Sequence, residues 1–231
     1  MTSSPLFVFD LDGTLVDSRL DLAESANELL AARGAPALSV EAVVSMVGEG
    51  ARVLVERVLA RAGLGPADDA ALDEFLRIYD LRLTNHTTAY PGVREALDAV
   101  APMASLAVLT NKPGRHTRRL LDALGLTRYF AAGIIGGDSS WPRKPDPTSL
   151  RHLMTMAGTA PEQTLMIGDS MVDVETARRA GTRLCVAYYG FGEVPREVGF
   201  TPGAVSVTDP RELAACLTQV AAGSPKGPEG P

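Results

Sequence analysis

Apolar residues fill positions 6–9 without a break and stop at Asp10-Leu11-Asp12-Gly13-Thr14-Leu15. A run this short, closed by an Asp-Gly turn, predicts a fully buried strand. From Asp17 onward the spacing becomes helical. Leu22, Ala23, Ala26, Leu29 and Leu30 form one stripe, closed by Arg33-Gly34. A short helix is expected over 40–46, and Gly48-Glu49-Gly50 interrupts it. Leu54, Val55, Val58, Leu59 and Ala62 mark a third helix; Leu72, Phe75, Leu76, Tyr79 and Leu83 mark a fourth. These stripes read as helix packing. No strand is expected between Asp17 and about Ala89.

Past Ala89 the rhythm alternates. Pro91 suits the first turn of a helix through Leu97 and Val100. Strands are expected at 105–109, 132–135, 164–167, 183–187 and 204–207. Between them lie a helix with Leu120, Leu121 and Leu124, another over 148–157, and a third through Ala177 and Ala180. Asp209 opens a last helix through Leu213 and Leu217. Strands alternating with helices predict a parallel sheet with right-handed crossovers. The expected fold is α/β: a parallel-sheet, Rossmann-like core from 1–16 and 90–221, with a helical cap inserted at 17–89. Residues 222–231, rich in Gly, Pro and charge, read as a disordered tail.

Composition narrows the function. Hydrophobic residues make up 45% of the chain and charged residues 22%, a balance that fills a globular core. The net charge of −6 argues against a nucleic-acid backbone as partner, because phosphate contacts need a basic face. No apolar run approaches membrane length. The N-terminal apolar stretch lacks a basic flank and reads as a strand, not a signal peptide. Cys185 and Cys216 match no metal spacing and suit a reducing cytoplasm. His86, His116 and His152 lack metal spacing and are expected at the surface.

The candidate chemistry lies at the carboxyl ends of the predicted strands, where α/β sheets bind ligands. The first strand ends in Asp10 and Asp12, the second in Thr110. The strand at 164–167 runs into Asp169, with Asp173 four residues on. Lys144 sits in the loop after the third strand. Close carboxylates repel unless a cation or a proton intervenes. With a hydroxyl and an ammonium, the set suits a divalent cation and a phosphoryl group. Lysine is scarce: only residues 112, 144 and 226 are lysine, among 22 lysines and arginines together. A compact ammonium between carboxylate and phosphate is a reason to depart from arginine, which marks Lys144 as functional. Lys112 reads equally well as a surface residue. Structural readings stand beside the others: Ser170 and Asp173 fit a capping box, Asp146-Pro147 fits a helix start, and Thr110 fits a strand end.

Asp10-Leu11-Asp12-Gly13-Thr14-Leu15, Thr110-Asn111, Lys144-Pro145 and Gly168-Asp169-Ser170-x-x-Asp173 resemble, in order, the four motifs of the haloacid dehalogenase superfamily. Aspartate at both 10 and 12 resembles its phosphatase branch. More narrowly, Val47-Gly48-Glu49-Gly50, Leu109-Thr110-Asn111-Lys112-Pro113 and Tyr189-Gly190-Phe191-Gly192 resemble the phosphoglycolate phosphatases. Related sugar-phosphate and pyrophosphate phosphatases share parts of these stretches.

The resemblance implies a cytoplasmic, Mg2+-dependent phosphomonoester hydrolase, monomer or homodimer, acting on a small phosphorylated metabolite: 2-phosphoglycolate to glycolate and phosphate. It implies Asp10 as nucleophile, forming an aspartyl phosphate, and Asp12 as proton shuttle. It implies Asp10, Asp169 and the Asp12 carbonyl as metal ligands, with Asp173 supporting them. Thr110 and Lys144 would hold phosphoryl oxygens, with Asn111 beside them. Gly48 and Gly50, before a helix start, are expected to approach the substrate carboxylate. A sugar-phosphate mutase is the rival activity; Thr14 speaks against it, since such mutases often carry valine there.

Overall fold

The computed structural model describes residues 4–196 and 203–223. Strand β1 (Leu6–Phe9) is buried at all four positions, as its unbroken apolar run requires. Around it the sheet takes in β4 (Ser105–Leu109), β5 (Gly133–Ile135), β6 (Thr164–Gly168), β7 (Arg183–Ala187) and β8 (Val205–Val207). All are parallel, in the order β5-β4-β1-β6-β7-β8. The chain builds outward from β1 on one side, then returns to build on the other. The tips of β1, β4 and β6 therefore flank the point where the winding reverses, the usual place for a ligand in such sheets.

Both faces are covered. Phe7 and Phe9 point into a core shared with α5 (Val93–Val100), α6 (Gly114–Ala123) and α9 (Leu213–Ala221). Leu6 and Val8 point the other way, against α7 (Thr148–Ala157) and α8 (Met171–Ala180). Period-two alternation within β1 thus serves two apolar layers.

Four helices fill the inserted block between Asp17 and Thr88: α1 (Arg19–Ala31), α2 (Val40–Val44), α3 (Ala51–Arg61) and α4 (Asp69–Arg82). Their apolar stripes join the core that contains Phe9 and Leu11. The expectation of no strand here needs correction. β2 (Val16–Asp17) pairs antiparallel with β3 (Thr88–Ala89), so a two-residue ribbon joins the start and end of the helical block. Asp21, fully buried, reinforces this neck by accepting from the backbone N–H of His86 and Thr87 and from the Thr87 hydroxyl.

Smaller corrections have local causes. The short helix ends at Val44, short of 46. Pro91 lies in a turn, and its helix begins at Val93. Gly92 between them has φ 87°, and a Cβ there would stand 2.6 Å from the Arg211 Cα. The turn has to pass that close for α5 to lie along α9. Residues 224–231 of the expected tail lie outside the described residues. No helix among the described residues is long and apolar enough to cross a membrane.

Candidate active site

The carboxylates gather because three strands end side by side. Phe9 pairs with both Val108 and Ile167, so Asp10 emerges between the tips of β4 and β6. Its backbone N–H bonds the Ile167 carbonyl at 2.8 Å. The chain then curls tightly, with Leu15 and Val16 donating back to the Leu11 carbonyl. Gly13, at φ 84°, lies against the Asp169 carboxylate and has no space for a side chain.

Lys144 is buried between two of the acids. Its Nζ lies 2.9 Å from Asp10 Oδ1 and 2.6 Å from Asp173 Oδ1. The same Asp173 caps α8 through the Ser170 N–H and hydroxyl, at 3.1 and 2.7 Å. The capping and functional readings of Asp173 are therefore compatible, since each uses a different oxygen.

Asp169 sits in a nest. Its carboxylate accepts from the N–H groups of Phe191 and Gly192, at 3.1 and 2.8 Å, and from the Thr14 hydroxyl at 3.2 Å. Gly190 and Gly192 wrap this acid so closely that neither position has room for a Cβ.

Burial pushes the Asp10 carboxyl up to about 6, with Asp173 raising it further and the Lys144 ammonium opposing. Burial pushes Asp169 up to about 8, helped by repulsion from Asp173 and Asp10. Ligand oxygens of Asp10, Asp169 and Asp173 lie within 4.8 Å of one another, and all three residues are buried. The Lys144 ammonium pairs with two of these three carboxylates, Asp10 and Asp173, and Asp10 Oδ1 has no donor in hydrogen-bonding geometry. An all-oxygen set with excess negative charge fits a hard divalent cation.

Asp10, Asp12, Thr110, Asn111, Asp169, Gly48 and Gly50 line one cavity between sheet tips and helical block. Lys144 and Asp173 lie behind Asp10, outside that lining. Asn111 ties the parts together: its Nδ2 donates to the Gly48 and Lys144 carbonyls, each at 2.9 Å. Gly50, at φ 96°, starts α3 where a Cβ would come within 3.1 Å of the Asn111 carbonyl.

Lys112 is not at the surface. It is buried, and its Nζ lies 2.8 Å from Asp12 Oδ1 and contacts the Tyr79 hydroxyl. His116 is also buried, correcting the surface expectation, and it stacks on the Tyr79 ring. In the sequence Tyr79 reads only as one of the packing residues of α4. Ser18 carries no site signal of its own there beyond a hydroxyl directly before a helix start, yet that hydroxyl donates to Asp12 at 2.6 Å.

Residues 7–187 match the family model of the haloacid dehalogenase-like hydrolases. The chain belongs to that family, and it is an enzyme of the phosphatase kind. It is 42% identical over 219 residues to a phosphoglycolate phosphatase of Pseudomonas syringae pv. tomato, covering 92% of this chain and 79% of that protein. A phosphoglycolate phosphatase of Rhodospirillum rubrum is 42% identical over 210 residues, covering 87% and 86%. Among solved structures, a predicted phosphoglycolate phosphatase from Haemophilus somnus 129PT matches with a TM-score of 0.83 and 32% identity, over 94% of this chain and 99% of that one.

Proposed function

We propose that the chain is a Mg2+-dependent phosphomonoesterase that cleaves 2-phosphoglycolate to glycolate and inorganic phosphate. The observation that carries the reading is the buried group of Asp10, Asp169 and Asp173 around Lys144, at sheet tips that open into a cavity. The similar phosphatases suggest the substrate.

In this reading an Asp10 oxygen attacks phosphorus in line. The new P–O bond makes an aspartyl phosphate as the ester P–O bond breaks. Asp12 protonates the departing alkoxide, then takes a proton from the water that opens the acyl phosphate. Ser18 and Lys112 hold the Asp12 carboxylate in place for both transfers. Lys144 and Thr110 hold the phosphoryl oxygens. Asp10, Asp169 and the Asp12 carbonyl would hold Mg2+, with Asp173 supporting them; when bound, the cation neutralises phosphoryl charge. Residues 17–89 act as a cap that excludes water, hinged at the β2–β3 ribbon and latched through Asn111.

A phosphate-release screen over small phosphomonoesters tests this. The highest kcat/KM is expected on 2-phosphoglycolate, ahead of sugar phosphates and pyrophosphate by at least about tenfold. A sugar phosphate in first place reassigns the substrate. With a hexose 1-phosphate, release of the 6-phosphate isomer rather than inorganic phosphate makes the enzyme a mutase.

The cation has its own test. Asp169 and Asp10 titrate above their unfolded value of 3.8, so each favours folding fully only below that value. Their contribution is lost as pH rises through about 6 for Asp10 and about 8 for Asp169. Metal-free protein is therefore expected to lose thermal stability from about pH 4 to about pH 8, and Mg2+ to restore more of it at the upper end. A Mg2+-induced rise in Tm that shrinks with increasing pH contradicts these carboxylates as the ligands.

A further inference from the structure

Lys112 lies two residues beyond Thr110, where its ammonium reaches toward α4. Besides Asp12 Oδ1, it lies 3.1 Å from Asp12 Oδ2 and 4.6 Å from the centroid of the Tyr79 ring. Among the described residues lining the cavity, Lys112 is the single cation. Asp10, Asp12 and Asp169 are the lining acids, and they belong to the phosphoryl end. The walls on the cap side are apolar: Leu22, Val47, Leu54, Phe75 and Leu76. Such walls offer nothing to the several hydroxyls of a sugar. They suit a short organic group with one polar end directed at Lys112.

Tyr79 adds a second, independent observation. Its hydroxyl oxygen accepts from Lys112, and its own O–H donates to no described acceptor. Burial pushes this phenol up to about 12, so the proton stays on oxygen and is available for donation. A buried donor without an acceptor is costly, and an incoming anion supplies the acceptor. The position is held from outside: neighbouring Asp80 pairs with Arg115 of α6 at 2.9 Å and also with Arg119. Tyr79 is thereby fixed over Lys112 although the two belong to different parts of the fold.

We propose that Lys112 Nζ and the Tyr79 hydroxyl form the subsite that recognises a carboxylate on the leaving group, and so set substrate preference. The proposal rests on the phosphatase reading above and deepens it. The leaving oxygen must lie beside Asp12 to be protonated, and Lys112 touches the same carboxylate. An anion one carbon beyond the ester oxygen then falls to Lys112, which fits a two-carbon leaving group. Lysine suits the place because a compact ammonium reaches Asp12, Tyr79 and ligand at once, where a planar guanidinium is too broad.

The test compares 2-phosphoglycolate with ethyl phosphate, which keeps the ester and lacks the carboxylate, and with 2-phospholactate as a second anionic ester. Lys112→Met is expected to lower the kcat/KM ratio of phosphoglycolate to ethyl phosphate by at least about thirtyfold, mostly through KM, the scale of losing a charge-assisted contact. Tyr79→Phe keeps the ring and is expected to lower the same ratio about three- to tenfold. It also keeps the test open if Lys112→Met does not fold. Equal losses on the two esters mean that Lys112 serves Asp12 alone, and they overturn the proposal while leaving the phosphatase reading intact. If the wild type instead favours phospholactate and Lys112→Met abolishes that preference, the subsite stands and the glycolate reading falls. A wild type with no preference for either anionic ester overturns both.

Discussion

Asp10→Asn is expected to lower turnover by at least about a thousandfold, the scale of losing a covalent catalyst. The substitution keeps shape and removes the one carboxylate that faces both Lys144 and the cavity. An amide oxygen can still face the ammonium, but it is a poor nucleophile and a weak metal ligand. Stability should move the other way. Asp10 is among the charges that push Asp169 up to about 8, so neutralising it relieves repulsion in the buried cluster. The metal-free variant is therefore expected to melt at or above the wild-type temperature while being nearly inactive, as befits a site that trades stability for chemistry. Single-turnover phosphate release and a thermal melt on the same preparation check both halves. Retention of a tenth of the activity would remove Asp10 as nucleophile. A large drop in Tm would mean that its role is structural.

What the sequence made legible followed from strand ends. Asp10, Thr110 and Asp169 each stand at or just past the last residue of a buried strand, where a polar side chain has no packing reason to be. Lys144 stood out because the chain otherwise uses arginine so heavily. The parts left unread depend on contacts that no local pattern carries. Lys112 meets Asp12 across 100 residues and Tyr79 across 33, and nothing near Lys112 distinguishes a buried ammonium from a surface one. Tyr79 obeys the helical stripe of α4, and a stripe does not say which member faces a cavity. The β2–β3 ribbon has two residues per strand, too few for a period of two to register. The glycines at 190 and 192 matched a family pattern, but the wrapping of Asp169 that explains them is a tertiary contact.

Lys144→Arg is expected to fail although it preserves the charge. Nζ is enclosed between Asp10 and Asp173, with a side-chain exposure of 2%. The Lys144 carbonyl is itself held by Asn111, so the backbone cannot retreat to make space. A guanidinium is longer and planar, and it must displace Asp10 from its attacking position or pull Asp173 away from its cap on α8. Turnover is expected to fall at least about a hundredfold. Overpacking should cost about 1–3 kcal/mol of stability. Lys144→Ala separates charge from shape. It leaves Asp10 and Asp173 facing each other without their cation, and a small amine can enter the vacated space. Methylammonium is therefore expected to restore part of the activity of the alanine variant in a concentration-dependent way, and guanidinium is not. An arginine variant with near-wild-type turnover, or equal rescue by both cations, would show that the site needs only positive charge and that the scarcity of lysine carries no information about its shape.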